Sequence, residues 1–128
     1  MKYLLDTHLL LWAAVGSDKL SESAHAIMDN PDNELFFSAA SIWEISIKNG
    51  LGRADFNVDV RVLRRGLIDN GYQELAIHSE HAVFIENVPP IHKDPFDRIL
   101  IAQSLVEGIM LLTSDHLVAQ YHGSIVKV

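Results

Sequence analysis

Asp94-Pro95-Phe96-Asp97-Arg98-Ile99-Leu100-Ile101-Ala102-Gln103-Ser104-Leu105-Val106-Glu107-Gly108-Ile109-Met110-Leu111-Leu112 decides the fold. Asp followed by Pro is a helix start: the carboxylate accepts from the first free amides, and proline in the next position gives up an N–H that had no partner there. Apolar periodicity carries the helix to about Glu107, and Gly108 supplies the stop. Ile109–Leu112 follows at once as an uninterrupted apolar strand, the pattern of a strand buried on both faces. A helix running straight into such a strand is part of a βαβ crossover, which needs a parallel sheet covered on both sides.

Read outward, the chain repeats the unit. Lys2-Tyr3-Leu4-Leu5 is a short strand ending on Asp6, and Thr7 onward is apolar at helical spacing. Ser21 caps a second helix through Met28, which Asn30-Pro31-Asp32-Asn33 breaks. A strand is predicted at Glu34–Phe37, then a helix capped by Ser38 over about Ala39–Asn49 with Gly50 as its stop. Asn57 to Asn70 is amphipathic and ends at Gly71, Leu75-Ala76-Ile77 reads as a strand, and a helix is predicted from Ser79 to about Glu86. Beyond Leu112 come a short helix, Ser114–Gln120, and a last strand, Ser124–Val128. Five strands alternating with helices predict a three-layer α/β/α domain with a central parallel five-stranded sheet, and residues 1–128 read as one domain.

The absence of cysteine excludes disulfides, thiolate zinc sites and a cysteine nucleophile. The uncharged stretch Thr7 to Ser17 is too short for a membrane span and lacks the features of a signal peptide, so a soluble cytoplasmic protein is expected. A formal net charge of −7 opposes a broad phosphate-binding surface, although a local site in which metal ions supply the positive charge remains open to polyanions.

Ligands in such sheets bind beyond the carboxyl ends of the strands, which directs attention to the acids there. Asp6 follows the first strand and Asp115 follows Ile109–Thr113; Glu44 sits about two turns into its helix and Asp97 in the first turn of the Asp94-Pro95 helix. Four carboxylates from four elements would repel one another in a low dielectric unless they took up protons or bound cations. Oxygen donors without cysteine favour Mg²⁺ or Mn²⁺ over zinc, and such ions activate water and stabilise in-line displacement at phosphorus. Each acid also has an ordinary alternative. Asp6 and Asp115 are placed to cap the following turns, Glu44 to pair with Lys48 at i,i+4, and Asp94 and Asp97 to serve the amides of one helix start.

The segments Leu4-Leu5-Asp6-Thr7, Ser41-Ile42-Trp43-Glu44-Ile45, His92 to Gln103 and Leu111-Leu112-Thr113-Ser114-Asp115 resemble, in order and over essentially the whole chain, the PIN domain, in particular single-domain toxins of the VapC type. The resemblance implies a Mg²⁺/Mn²⁺-dependent endoribonuclease, usually dimeric and neutralised by a small cognate antitoxin. It puts Asp6, Glu44, Asp97 and Asp115 on the metal-binding acidic positions and Thr113 on the hydroxyl position before the last acid. Asp94 adds a carboxylate three residues before Asp97, so two acids are offered for the third position.

His78-x-x-His81 has no third ligand beside it and reads as a surface helix start; His92 and His116 adjoin the presumed cleft as substrate contacts rather than ligands. Lys48, Arg53, Arg61, Arg64 and Arg65 are the one dense basic set, either a solvated face or a rim for RNA or an acidic partner segment. Trp12 and Trp43 read as core or interface anchors. Three other readings compete. A phosphoacceptor receiver domain would need a second acid beside Asp6, and a DxD phosphatase one where His8 stands. A noncatalytic module keeping the PIN fold differs from the nuclease only in turnover.

Overall fold

A computed structural model describes residues 1–52 and 57–128. The chain runs β1 (Lys2–Leu5), α1 (Thr7–Val15), α2 (Glu22–Met28), β2 (Glu34–Ser38), α3 (Ala39–Gly50), α4 (Val60–Asp69), β3 (Gln73–Leu75), α5 (Ser79–Phe84), α6 (Pro95–Glu107), β4 (Met110–Thr113) and β5 (Ile125–Lys127), with 3₁₀ turns at Ile85–Asn87 and Val118–Gln120. The sheet order is β3-β2-β1-β4-β5, and every neighbouring pair is parallel. That order differs from the 2-1-3-4-5 arrangement of receiver domains, which removes that reading.

Strand alternation divides the core between the two faces of the sheet. Tyr3, Leu5, Leu35, Phe37 and Leu112 point to one side, where Leu9 and Leu10 of α1, Ala24 of α2, Ile45 of α3, and Leu63 and Leu67 of α4 cover them. Leu4, Phe36 and Leu111 point to the other, under Leu100, Ile101 and Ala102 of α6 with Phe84 of α5 beside them. The three layers expected from the sequence are thus present. No described helix is long and apolar enough to cross a membrane.

Several boundaries differ from the sequence expectation. β3 occupies Gln73–Leu75 rather than Leu75–Ile77, because the turn after α4 at Gly71 (φ 88°) returns the chain early and β2, its partner, ends at Ser38 opposite Leu75. The apolar run Ala76-Ile77 therefore lies past the ladder. α3 runs through Gly50, and the left-handed residue that follows is Gly52. α4 starts at Val60, since Asp59 accepts from the amides of Arg61 and Val62. The helix predicted over Ser114–Gln120 is a single 3₁₀ turn. Asp115 caps only one turn there, and Gly123, at φ 134°, turns the chain into β5 against Leu105. The helix predicted to about Glu86 ends at Phe84 and tightens into the first 3₁₀ turn.

Candidate metal centre

β1 and β4 are adjacent but connect to opposite sides of the sheet, so the switch in strand order falls between them, where α/β sheets place their ligands. Asp6 and Asp115 leave the sheet at this point. The Asp6 amide still donates to Leu112 O at 3.0 Å, which fixes it at the strand end. Its Oδ1 caps α1 by accepting from the Leu9 amide at 2.9 Å, and its Oδ2 accepts from Thr113 Oγ1 at 2.6 Å and from the Ser114 amide at 3.3 Å. Asp6 is 4% exposed, and burial raises its pKa against these hydrogen bonds and the nearby His8.

Thr113 Oγ1 also accepts from the Asp115 amide at 3.0 Å, tying the two acids through one hydroxyl. Asp115 divides its oxygens. Oδ1 takes the amides of Leu117 and Val118 at 2.7 and 3.3 Å, and Oδ2 faces the cluster.

Glu44 reaches the same edge from inside α3 and is also 4% exposed. Thr7 Oγ1 donates to Glu44 Oε1 at 2.8 Å, and Lys48 Nζ approaches Oε2 at 2.8 Å. The i,i+4 pair anticipated for a solvated face thus exists, but the carboxylate in it is buried. At α6, Asp94 accepts from the Phe96 amide at 2.8 Å with Pro95 at N1, so Asp94 is the cap and Asp97 the N3 residue.

Asp97 Oδ2 lies 2.9 Å from His92 Nε2, which in turn lies 3.6 Å from Asp115 Oδ2. His92, Asp97 and Asp115 each offer one ligand-type atom within 4.8 Å of the others, the one such group among the described residues. Burial and the charge of Asp94 push the Asp97 carboxyl up to about 7, with Glu44 and Asp115 adding to the effect and His92 opposing it. Asp97 is therefore a carboxyl short of positive charge, which a hard divalent cation among oxygen donors would supply.

His92, expected as a substrate contact rather than a ligand, is at the centre of this group. Its position is fixed by its own amide, which donates to Tyr121 Oη at 2.7 Å, a residue 29 positions away that no local motif announces. The His78-x-x-His81 pair is placed differently. His81 is fully buried, accepts the His78 amide on Nδ1 at 2.9 Å and meets Glu107 Oε2 through Nε2 at 2.8 Å, so it fastens α5 to α6 rather than lying on the surface.

Among the basic set, Lys48 is committed to Glu44, and Arg64 makes a two-point ion pair with Glu74 at 2.8 and 3.1 Å. Arg61 and Arg65 are exposed on α4, and Arg53 lies outside the described residues. Trp12 packs on the first core, whereas Trp43 is 58% exposed and stands edge-on to Phe96 at 5.0 Å. A cavity of about 530 Å³ between α1, α2 and α4 is lined by none of the candidate acids.

The PIN domain family model matches residues 3–123. The chain belongs to the PIN domain family. Among curated proteins no sequence matches it. Solved structures similar to this PIN domain include VapBC2 from Rickettsia felis bound to a DNA fragment from its promoter, at 12% identity over 90% of this chain and 89% of that one, with a TM-score of 0.64. A toxin–antitoxin complex from Klebsiella pneumoniae is similar at 16% identity over 98% and 96% of the two chains, with a TM-score of 0.65. VapBC-1 from nontypeable Haemophilus influenzae follows at 17% identity over 94% and 90%, with a TM-score of 0.56. At these identities the structures attest the fold of this PIN domain, and its chemistry is argued from its own residues.

Proposed function

We propose that this PIN domain is the toxin of a toxin–antitoxin pair, a VapC-type Mg²⁺- or Mn²⁺-dependent endoribonuclease of the cytoplasm. The observation that carries the reading is the meeting of Asp97 and Asp115 at the strand-order switch, with Asp6 tied to Asp115 through Thr113 and Glu44 adding its field from α3. Asp6, Asp97 and Asp115 hold the cation, Glu44 holds a second ion or orients water, and Asp94 serves the helix. A divalent cation bound there supplies charge for the phosphate oxygens and an activated water for in-line attack.

The protein's own groups do the remaining work. Thr113 and the Ser114 amide fix the rotamer of Asp6; Thr7 and Lys48 fix that of Glu44. Hydrolysis by water predicts no covalent enzyme intermediate, so recovery of a phosphoryl-enzyme would reject the mechanism.

The similar toxin–antitoxin complexes support a small cognate antitoxin as partner. Trp43 and Ile47 on α3 and Leu51 at its C-cap, all exposed, support a homodimer, which sedimentation showing only monomer at micromolar concentration would refute. Purified protein should cleave RNA only with Mg²⁺ or Mn²⁺, and Asp6→Asn should be inactive though folded. Cleavage by Asp6→Asn at the parental rate sinks the site assignment. A folded, metal-binding parent that cleaves no RNA points instead to the noncatalytic module.

A further inference from the structure

We propose that His92 is a positioning residue of the acid centre that presents a proton, not a lone pair: its Nε2–H holds Oδ2 of Asp97, and the ring does not ligate the cation. The inference rests on the metal-centre reading above.

The ring is fixed at both nitrogens. Nδ1 lies 3.1 Å from the Asp94 amide and accepts its N–H. A backbone amide always carries its proton, so Nδ1 must present a lone pair. In a neutral imidazole one nitrogen donates and the other accepts, which places the ring proton on Nε2. That atom is 2.9 Å from Asp97 Oδ2 and 3.6 Å from Asp115 Oδ2, ion-pair distances that put the protonated nitrogen beside two carboxylates.

A protonated nitrogen has no lone pair for a metal. For Nε2 to ligate, the proton would have to move to Nδ1, directly against the Asp94 N–H. Asp94 is the N-cap of α6, and Asp97 sits in the turn it caps. The hydrogen bond that orders the start of α6 therefore also keeps the imidazole out of the coordination sphere. Two consequences follow for the site. Asp97 keeps Oδ2 beside the His92 N–H and, among the described residues, accepts no hydrogen bond on Oδ1, which is left for the cation in the manner of ligand carboxylates oriented by an outer donor. The donor set stays all-oxygen, which suits Mg²⁺ and Mn²⁺ and not the nitrogen-seeking Zn²⁺.

Two substitutions separate the ring's two tasks. His92→Gln keeps an N–H near the place of Nε2 and loses the acceptor for the Asp94 amide. His92→Asn keeps that acceptor and falls short of Asp97. Mn²⁺ binding is followed by electron paramagnetic resonance, and the ring tautomer in the parent by long-range ¹H–¹⁵N spectra with and without Mg²⁺. The expected result is an Nε2–H ring in both conditions, with the Mn²⁺ dissociation constant within about threefold of the parent for Gln and weakened about 10–100-fold for Asn.

A proton shift to Nδ1 on adding Mg²⁺, or imidazole nitrogen coupling to bound Mn²⁺, makes His92 a ligand and overturns the proposal. Parental affinity in His92→Asn overturns it as well, by showing that the ring holds nothing the cation needs. If the parent binds no Mn²⁺, or Asp97→Asn binds it as tightly as the parent, the metal centre itself is misplaced and this inference falls with it. The metal-free ring spectrum tells the two failures apart, since it reports the His92 tautomer whether or not a cation binds.

Discussion

Asp97→Asn should abolish cleavage in the presence of Mg²⁺ and, in protein stripped of divalent cations, raise stability. Burial and the charge of Asp94 move the Asp97 carboxyl from 3.8 to about 7. A carboxyl raised in the folded state binds more protons folded than unfolded between these values. Stability is therefore highest at the acid end and falls as pH rises through that window, with the loss complete above about pH 7.

A rise of this size corresponds to at most about 4 kcal/mol. A fifth of the Asp97 side chain is open to water, and solvent screening reduces the penalty to about 1–2 kcal/mol. Asn carries no charge and escapes it, giving up about 0.5 kcal/mol of attraction between an N3 carboxylate and the helix dipole. The net gain of about 1 kcal/mol at alkaline pH should raise Tm by about 3–5 °C.

Thermal unfolding followed by circular dichroism, with chelator, at about pH 5 and pH 8, should show the gap between variant and parent narrowing at the lower pH. Mg²⁺ at about 100 times its dissociation constant should then add about 2.7 kcal/mol to the parent and little to the variant. A variant less stable than the parent at alkaline pH in chelator, or equal stabilisation of both by Mg²⁺, refutes the reasoning.

Asp94→Asn should keep most activity and stability in RNA cleavage and thermal melts, because Asn caps about as well as Asp and the Phe96 amide retains its acceptor; a dead Asp94→Asn beside an active Asp97→Asn would transfer the ligand role to Asp94. Lys48→Ala leaves Glu44 buried without its cation, so metal-free protein should lose about 1–3 kcal/mol in chemical denaturation, and Mg²⁺ should restore part of it. Gln103→Leu strands the Ser38 hydroxyl, now 2.6 Å from Gln103 Oε1, and the Ala76 carbonyl, and should cost about 2–3 kcal/mol in the same assay.

Local chemistry made the start of α6 readable before any coordinates. Asp94 and Pro95 are cap and N1, and Gly108 closes the helix in the left-handed conformation. The weaker elements were not readable in this way. β3 is an edge strand of exposed Gln73 and Glu74, whose only claim to be a strand is its pairing with β2, so the more apolar residues just beyond it misled the reading. The turn after Asp115 is likewise set by the need to enter β5, not by its own helix propensity.

The acids show the same division. That Asp6, Asp97 and Asp115 should share one edge was legible, because Asp6 and Asp115 follow strands, Asp97 lies in the first turn of a helix and parallel topology sends those ends to one side; Glu44, inside α3, joins them by the reach of its side chain. What the ordinary roles exclude was not legible. Asp115 caps its turn through Oδ1 while Oδ2 faces His92, Asp6 caps through Oδ1 while Oδ2 takes Thr113 and Ser114, and Glu44 pairs with Lys48 while buried. Capping and cluster membership are compatible for a carboxylate with two oxygens and four lone-pair sites.

The sequence by itself determined the alternation of strand and helix, the burial of the apolar strand β4 and the end of the sheet where the carboxylates gather, because these follow from periodicity and capping within a few residues. Only the tertiary structure decided the strand order, the burial of Glu44 and His81, and the place of His92 between Asp97 and Asp115. Those depend on contacts such as that of Tyr121 with the His92 amide, made between residues far apart in the chain, whose formation no local spacing encodes.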